Sequence, residues 1–168
     1  RWLWEHATAD PDVPGHGQVL DRDDRPDITS TAATGFALAA WCLGVERGLL
    51  ERDAVLARVR GALRGLLTLD SAGGLLVHFA DPVTLRRHGR AEYSTIDTAL
   101  ALDGAIVAAG YLADPEVDRL TDDLLRRGDW NALVHRRGDR TLFRMARVDS
   151  ADDDYGSHAD ADGWVGAW

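Results

Sequence analysis

A chain of 168 residues with a formal net charge of −9 lacks the basic stripe needed to displace counterions from a polyanion, so a nucleic-acid partner is not expected. Its 45% hydrophobic and 28% charged residues are ordinary for a globular protein, and one domain of this length buries roughly 70% of the surface that its unfolded chain exposes. The acidity disfavours a polyanionic substrate and leaves neutral ones, such as sugars, open.

A short apolar start at Trp2–Trp4 leads into residues 9–28, whose Pro, Gly and Asp content reads as a loop. Residues 30–48, "STAATGFALAAWCLGVERG", open on hydroxyls and stop at Gly48; they predict a helix, apolar nearly all round and therefore buried. Its Cys42 is the one cysteine, a small core residue with no intrachain partner. Residues 51–70 place Leu56, Val59, Leu63 and Leu66 at helical spacing among arginines, an amphipathic helix with one wet face. Residues 73–82, "GGLLVHFADP", read as a short extended segment entered by a glycine turn.

The pattern then returns. Residues 94–113, "STIDTALALDGAIVAAGYLA", predict a second nearly all-apolar helix. Residues 114–128 predict a second amphipathic one, with Pro115 in its first turn, acids early and arginines late to complement the helix dipole. Laid on each other with an offset of 64, Ser30, Thr31, Thr34, Ala37 and Leu38 meet Ser94, Thr95, Thr98, Ala101 and Leu102. Alternating buried and wet helices with an internal repeat imply inner and outer helical hairpins. The expected fold is all-α: an incomplete (α/α)6 toroid with short β-hairpins in the connections. Residues 1–168 then form a single domain, the N-terminal portion of the toroid, with one flank of its inner ring bare. The abrupt ends at Arg1 and Trp168 read as cuts. No apolar run approaches the ~20 residues of a membrane span, and "RWLWEHATAD" has no signal-peptide pattern.

Ser94-x-x-Asp97 fits a capping box, in which the hydroxyl takes a first-turn N–H and the acid reaches back. The repeat weakens that reading, because the residue matching Asp97 is Ala33, and an equivalent helix starts without a carboxylate. Glu92, just ahead of the helix, is placed to approach Asp97. Asp103, further along the same apolar helix, needs a buried partner or access to a cleft. Two carboxylates flanking a sugar are the equipment of glycoside cleavage, with inversion or retention set by their separation. Trp130, Tyr155, Trp164 and Trp168 are candidates to stack on sugar faces, with packing the plainer role for each. "HADADG" at 158–163 matches an EF-hand loop too poorly for a calcium site, and the histidines lack zinc-ligand spacing, so no metal is expected.

"RPDITSTAATGFALAAWCLGVERGLLERDAV" resembles the first inner–outer hairpin of the glycoamylase-like family. "GGLLVHFADP" is similar to that family's G-F-F-Y-H-F strand, "EYSTIDTALALDGAI" to its E-I-S-T-I-D-T-A-L-L-L-A-G-A signature, and the "DW" at 129–130 to its following D-W. The resemblance runs over about residues 25–135. It implies an (α/α)6 toroid hydrolysing or transglycosylating a β-glucan, most typically β-1,2-linked, with no cofactor. It implies Asp97 and Glu92 as the catalytic pair, with His78, Tyr93 and Trp130 beside them as substrate-binding residues; Asp103 joins these from its place on the apolar helix. The implied partners are an oligo- or polysaccharide and the remainder of the toroid, and the implied setting is secreted or periplasmic. Asp103 departs from the family, which usually has Ala there. The family's W-x-x-Y-S-E block, with a further cleft glutamate, would begin at about Trp168, so this chain alone is expected to be inactive. The alternative is a non-catalytic carbohydrate-binding or scaffold domain of toroid ancestry.

Overall fold

Each apolar helix begins where the sequence supplies a serine. The computed structural model describes residues 1–150, 152–153 and 155–167. After a single-turn helix α1 (Trp2–Glu5) and the two-residue strand β1 (Thr29–Ser30), α2 runs over Thr31–Glu46 with Ser30 as its N-cap. The amphipathic α3 covers Arg52–Thr68. Four short strands follow: β2 (Ser71–Ala72), β3 (Leu75–Leu76), β4 (Phe79–Ala80) and β5 (Tyr93–Ser94). Then come α4 (Thr95–Leu112), capped by Ser94, and α5 (Pro115–Leu125), capped by Asp114.

The helices form two layers. α2 packs along α4, while α3 and α5 pack on each other and back the first pair. The buried stripe of α3 is Val55, Val59, Ala62, Leu63 and Leu66, with the expected Leu56 only partly buried; that of α5 is Val117, Leu120 and Leu124. The α2–α4 seam is tight because it is made of glycines. A Cβ on Gly35 would lie 2.4 Å from the Leu100 carbonyl oxygen, and one on Gly104 2.0 Å from that of Gly35.

Two expectations change. Neither apolar helix is buried all round: Phe36 and Leu43 of α2 and Ile96, Ile106 and Val107 of α4 are exposed, leaving a bare apolar flank. The late arginines of α5 fall past its last turn. Arg127 instead donates to the carbonyls of Leu66, Leu67 and Leu69, closing the C-terminal end of α3. Arg52 does the same for α4, donating to the Leu112 carbonyl at 2.6 Å. At 18 residues, α4 is long and apolar enough by length and composition to cross a membrane, contrary to the sequence reading, but half of it is buried as a core helix.

The last third is more β than the sequence pattern foretells. A one-turn 3₁₀ helix at Trp130–Leu133 precedes β6 (Val134–Arg137), β7 (Arg140–Arg147) and β8 (Trp164–Ala167). Gly138, with φ 63°, permits the tight turn between β6 and β7. The sheet has the order β5-β7-β6, with β8 also pairing β7. Tyr93 lies opposite Arg147 and Ser94 opposite Ala146, so this sheet is anchored at the very start of α4.

Candidate active site

Residues 77–80 connect the two helix starts. The Thr31 N–H donates to the His78 carbonyl (3.1 Å) and the His78 N–H to the Glu92 carbonyl (2.8 Å). β1 pairs β4 with Ser30 opposite Phe79, and Val77 bridges Tyr93. The N-termini of α2 and α4 therefore open at the same end of the layer, on either side of His78.

The caps obey the repeat. Ser30 Oγ accepts from the Ala33 N–H and Ser94 Oγ from the Asp97 N–H, both at 3.3 Å. Thr34 and Thr98 donate to the carbonyls of Ser30 and Ser94, while their hydroxyls accept the N–H groups of Val19 and Leu76. The Asp97 carboxylate takes no part in its own cap. It lies 3.6 Å, through Oδ1, from His78 Nε2. The other imidazole nitrogen, Nδ1, is 3.0 Å from Glu92 Oε1. One histidine thus joins the two acids, and its ring stacks on Phe79 with centroids 3.7 Å apart.

Burial sets the charges of this trio. Both carboxylates are buried, at 9% exposure for Glu92 and 5% for Asp97. Burial alone disfavours an imidazolium, but the Glu92 hydrogen bond and the Asp97 charge outweigh it and leave His78 above its ordinary pKa. Burial, the largest single influence, pushes Glu92 upward, but the hydrogen bond from His78, a backbone hydrogen bond and the charges of His78 and Arg87 together outweigh it and hold Glu92 below the usual glutamate value. The pairing therefore favours the protonated form of His78 and the ionised form of Glu92.

A hollow of about 310 Å³ opens against this group, lined by His78, Phe79, Glu92 and Tyr155. Two larger hollows lie elsewhere: one of about 710 Å³ between α1 and α2, walled by Trp4, Trp41 and Leu43, and one of about 670 Å³ among Arg147, Asp149, Asp160 and Trp164. Neither is lined by His78, Glu92 or Asp97, whereas the hollow of about 310 Å³ has His78 and Glu92 in its wall.

The other expected site residues separate from this group. Tyr93 faces the core, 8% exposed, with the Arg87 guanidinium 5.0 Å over its ring. Strand alternation sends it away from Glu92, and it packs in the core rather than lining the hollow. Asp103 needs no buried partner: it is exposed on the bare flank of α4, one helical face with Ile96 and Val107. Trp130 is half-buried, packs against the core and does not line the hollow. Trp164 is covered by Arg144 and Arg147, their guanidiniums 5.2 and 5.9 Å from its ring. Trp168 lies outside the described residues. In "HADADG", Asp160 accepts from the N–H groups of Asp162 and Trp164 and pairs with Arg144 at 2.5 Å, closing a loop. Phe79 and the wall position of Tyr155 depend on strand pairing and a distant loop, which no local pattern announces.

No family model matches the chain, and no curated protein does. Solved structures do. The chain is similar to a β-1,2-glucanase from Parabacteroides distasonis, at 24% identity and TM-score 0.70, over 79% of this chain and 20% of that one. It is similar to a proposed glucoamylase from Bacteroides fragilis, at 21% identity and TM-score 0.70, over 93% and 39% of the two chains. It is also similar to an endo-β-1,2-glucanase from Chitinophaga pinensis in complex with sophorotriose and glucose, at 15% identity and TM-score 0.69, over 89% and 38%. The chain spans about a fifth to two fifths of the length of these proteins. What the chain has in common with them, and with the resemblance legible in its sequence, is the glycoamylase-like fold.

Proposed function

We propose that this chain is the N-terminal portion of an (α/α)6 toroid that hydrolyses or transglycosylates a β-1,2-linked glucan. The observation that carries the reading is the His78 bridge between Glu92 and Asp97 beside a small open hollow. The glucanases among the structural neighbours support the substrate class, and the bare flank of α2 and α4 supports a toroid continued by further helices. Asp97 is the catalytic-cleft carboxylate: its repeat partner is Ala33, and the cap beside it is complete without its side chain. Glu92, kept ionised by His78, serves as an acceptor for sugar hydroxyls or as a base rather than as a proton donor. His78 orients both acids.

The test is release of reducing ends from β-1,2-glucan by the full-length protein and its Asp97→Asn variant. Loss of turnover with an unchanged thermal midpoint supports the reading. Persistent turnover with about 1 kcal/mol of lost stability, the cost of a missing cap, overturns it. A non-catalytic sugar-binding module is the second reading, favoured by one observation: Glu92 lines the hollow and Asp97 does not. Saturable glucan binding with no cleavage by the full-length protein would establish that alternative.

A further inference from the structure

From the geometry around Arg87 we infer that Tyr155 is a sugar-stacking wall of the hollow and that Arg87 is the positioning residue that holds it there. This rests on the carbohydrate reading above and adds to it the residue that grips one ring of the ligand. β5 pairs β7 with Tyr93 opposite Arg147, so the chain leaving β7 emerges beside Glu92. The segment it enters is closed at its base by the Val148 N–H on the Gly163 carbonyl (2.8 Å). Within it, Asp153 Oδ2 accepts from the N–H groups of Asp149 (2.6 Å) and Ser150 (3.1 Å), and the Gly156 N–H donates to the Asp153 carbonyl.

Arg87 holds this segment from the other side. Its guanidinium lies 3.1 Å from carboxylate oxygens of both Asp149 and Asp153. The same group donates to the carbonyls of Ala91 (2.5 Å) and Arg90 (3.1 Å), the residues immediately before Glu92. Arg90 adds a bond to the Asp152 carbonyl. One side chain therefore fixes the strand that carries Glu92 and the loop that carries Tyr155 in a single frame.

At the end of that frame Tyr155 is 60% exposed, in the left-handed backbone region with φ 63°, and forms the wall of the hollow shared with His78, Phe79 and Glu92. A bulky residue seldom adopts that backbone, and such outliers gather at ligand clamps. An aromatic face across from a charged acceptor suits a pyranose: the ring face stacks on the apolar surface and a hydroxyl donates to Glu92. The hollow, about 310 Å³, sits at the small end of ligand pockets and takes one sugar unit.

The experiment is calorimetric titration of sophorotriose into the full-length protein and its Tyr155→Ala, Tyr155→Phe and Arg87→Met variants, with Asp153→Asn as a milder break of the same latch. Tyr155→Ala is expected to weaken binding by up to about tenfold, and Tyr155→Phe to stay within about twofold of wild type. Arg87→Met or Asp153→Asn should weaken it similarly, and either combined with Tyr155→Ala should be no worse than Tyr155→Ala alone. Binding by Tyr155→Ala equal to wild type overturns the wall, and additive losses overturn the latch. No binding by the wild-type protein overturns the carbohydrate reading itself, and this inference with it.

Discussion

The starts of α2 and α4 are built alike and end up unlike. Each has an N-cap serine accepting the third residue's N–H at 3.3 Å, and each has a threonine one turn on that returns a bond to the serine carbonyl. At the third position of each helix the first has Ala33 and the second Asp97. The shared parts are what a helix start requires. The unshared carboxylate turns to His78, and the buried pair of acids exists only at the second start. An internal repeat thus acts as a control experiment: of the four positions that differ between residues 30–38 and 94–102, only one brings in a charged side chain, the candidate catalytic Asp97.

The sharpest break of that comparison is Asp97→Asn, which should lower turnover of β-1,2-glucan by about 10²–10⁴-fold. Urea denaturation should move by no more than about 0.5 kcal/mol, because the cap survives. Next in size is the seam that keeps the two starts side by side. Gly104→Ala drives a Cβ into the Gly35 carbonyl and should cost about 1–3 kcal/mol in the same measurement. Gly110→Ala, on the same helix with nothing within 4 Å, should instead stabilise by about 0.5–1 kcal/mol.

Smaller again are the caps. Ser30→Ala and Ser94→Ala should each cost about 1 kcal/mol, and a loss confined to Ser94 would end the equivalence of the two starts. The subtlest effect is on pH dependence. His78 is raised above its unfolded value, so its contribution is complete below the ordinary histidine pKa and is lost as pH rises through the folded one. Glu92 is lowered, so its contribution is present above the ordinary glutamate value and lost as pH falls through the folded one. The pair is strongest in the weakly acidic window between the two ordinary values. His78→Gln should remove the fall in thermal midpoint on the alkaline side of that window, read from melts between pH 5 and 9.

Much of the helical part was legible because it is local. The caps Ser30, Ser94 and Asp114, the helix-starting Pro115 and the 3.6-residue stripe of α3 are encoded within a few residues of where they act. Glu92 and Asp97 were also named from the sequence as a pair, with His78 near them but given no place between them. Their meeting was not visible, since it depends on β1–β4 pairing and on Val77 bridging Tyr93 across sixteen residues. The core-facing direction of Tyr93 was not visible either, because a period-2 strand sends neighbours to opposite faces and a two-residue strand is too short to show that period. The sheet of β6, β7 and β8 was missed for a related reason: exposed ribbon strands rich in arginine lack an apolar alternation to read.

The sequence by itself determined where the helices begin, which helices are apolar, the repeat between them and the acid that breaks the repeat, because propensity, capping and periodicity are short-range properties. Only the tertiary structure decided that His78 stands between Glu92 and Asp97, that Arg87 ties the Glu92 strand to the Tyr155 loop, and that α2 and α4 meet closely at Gly35 and Gly104. Those depend on which distant backbones pair and how closely two glycines let helices approach, and neither is written in any single stretch of the chain.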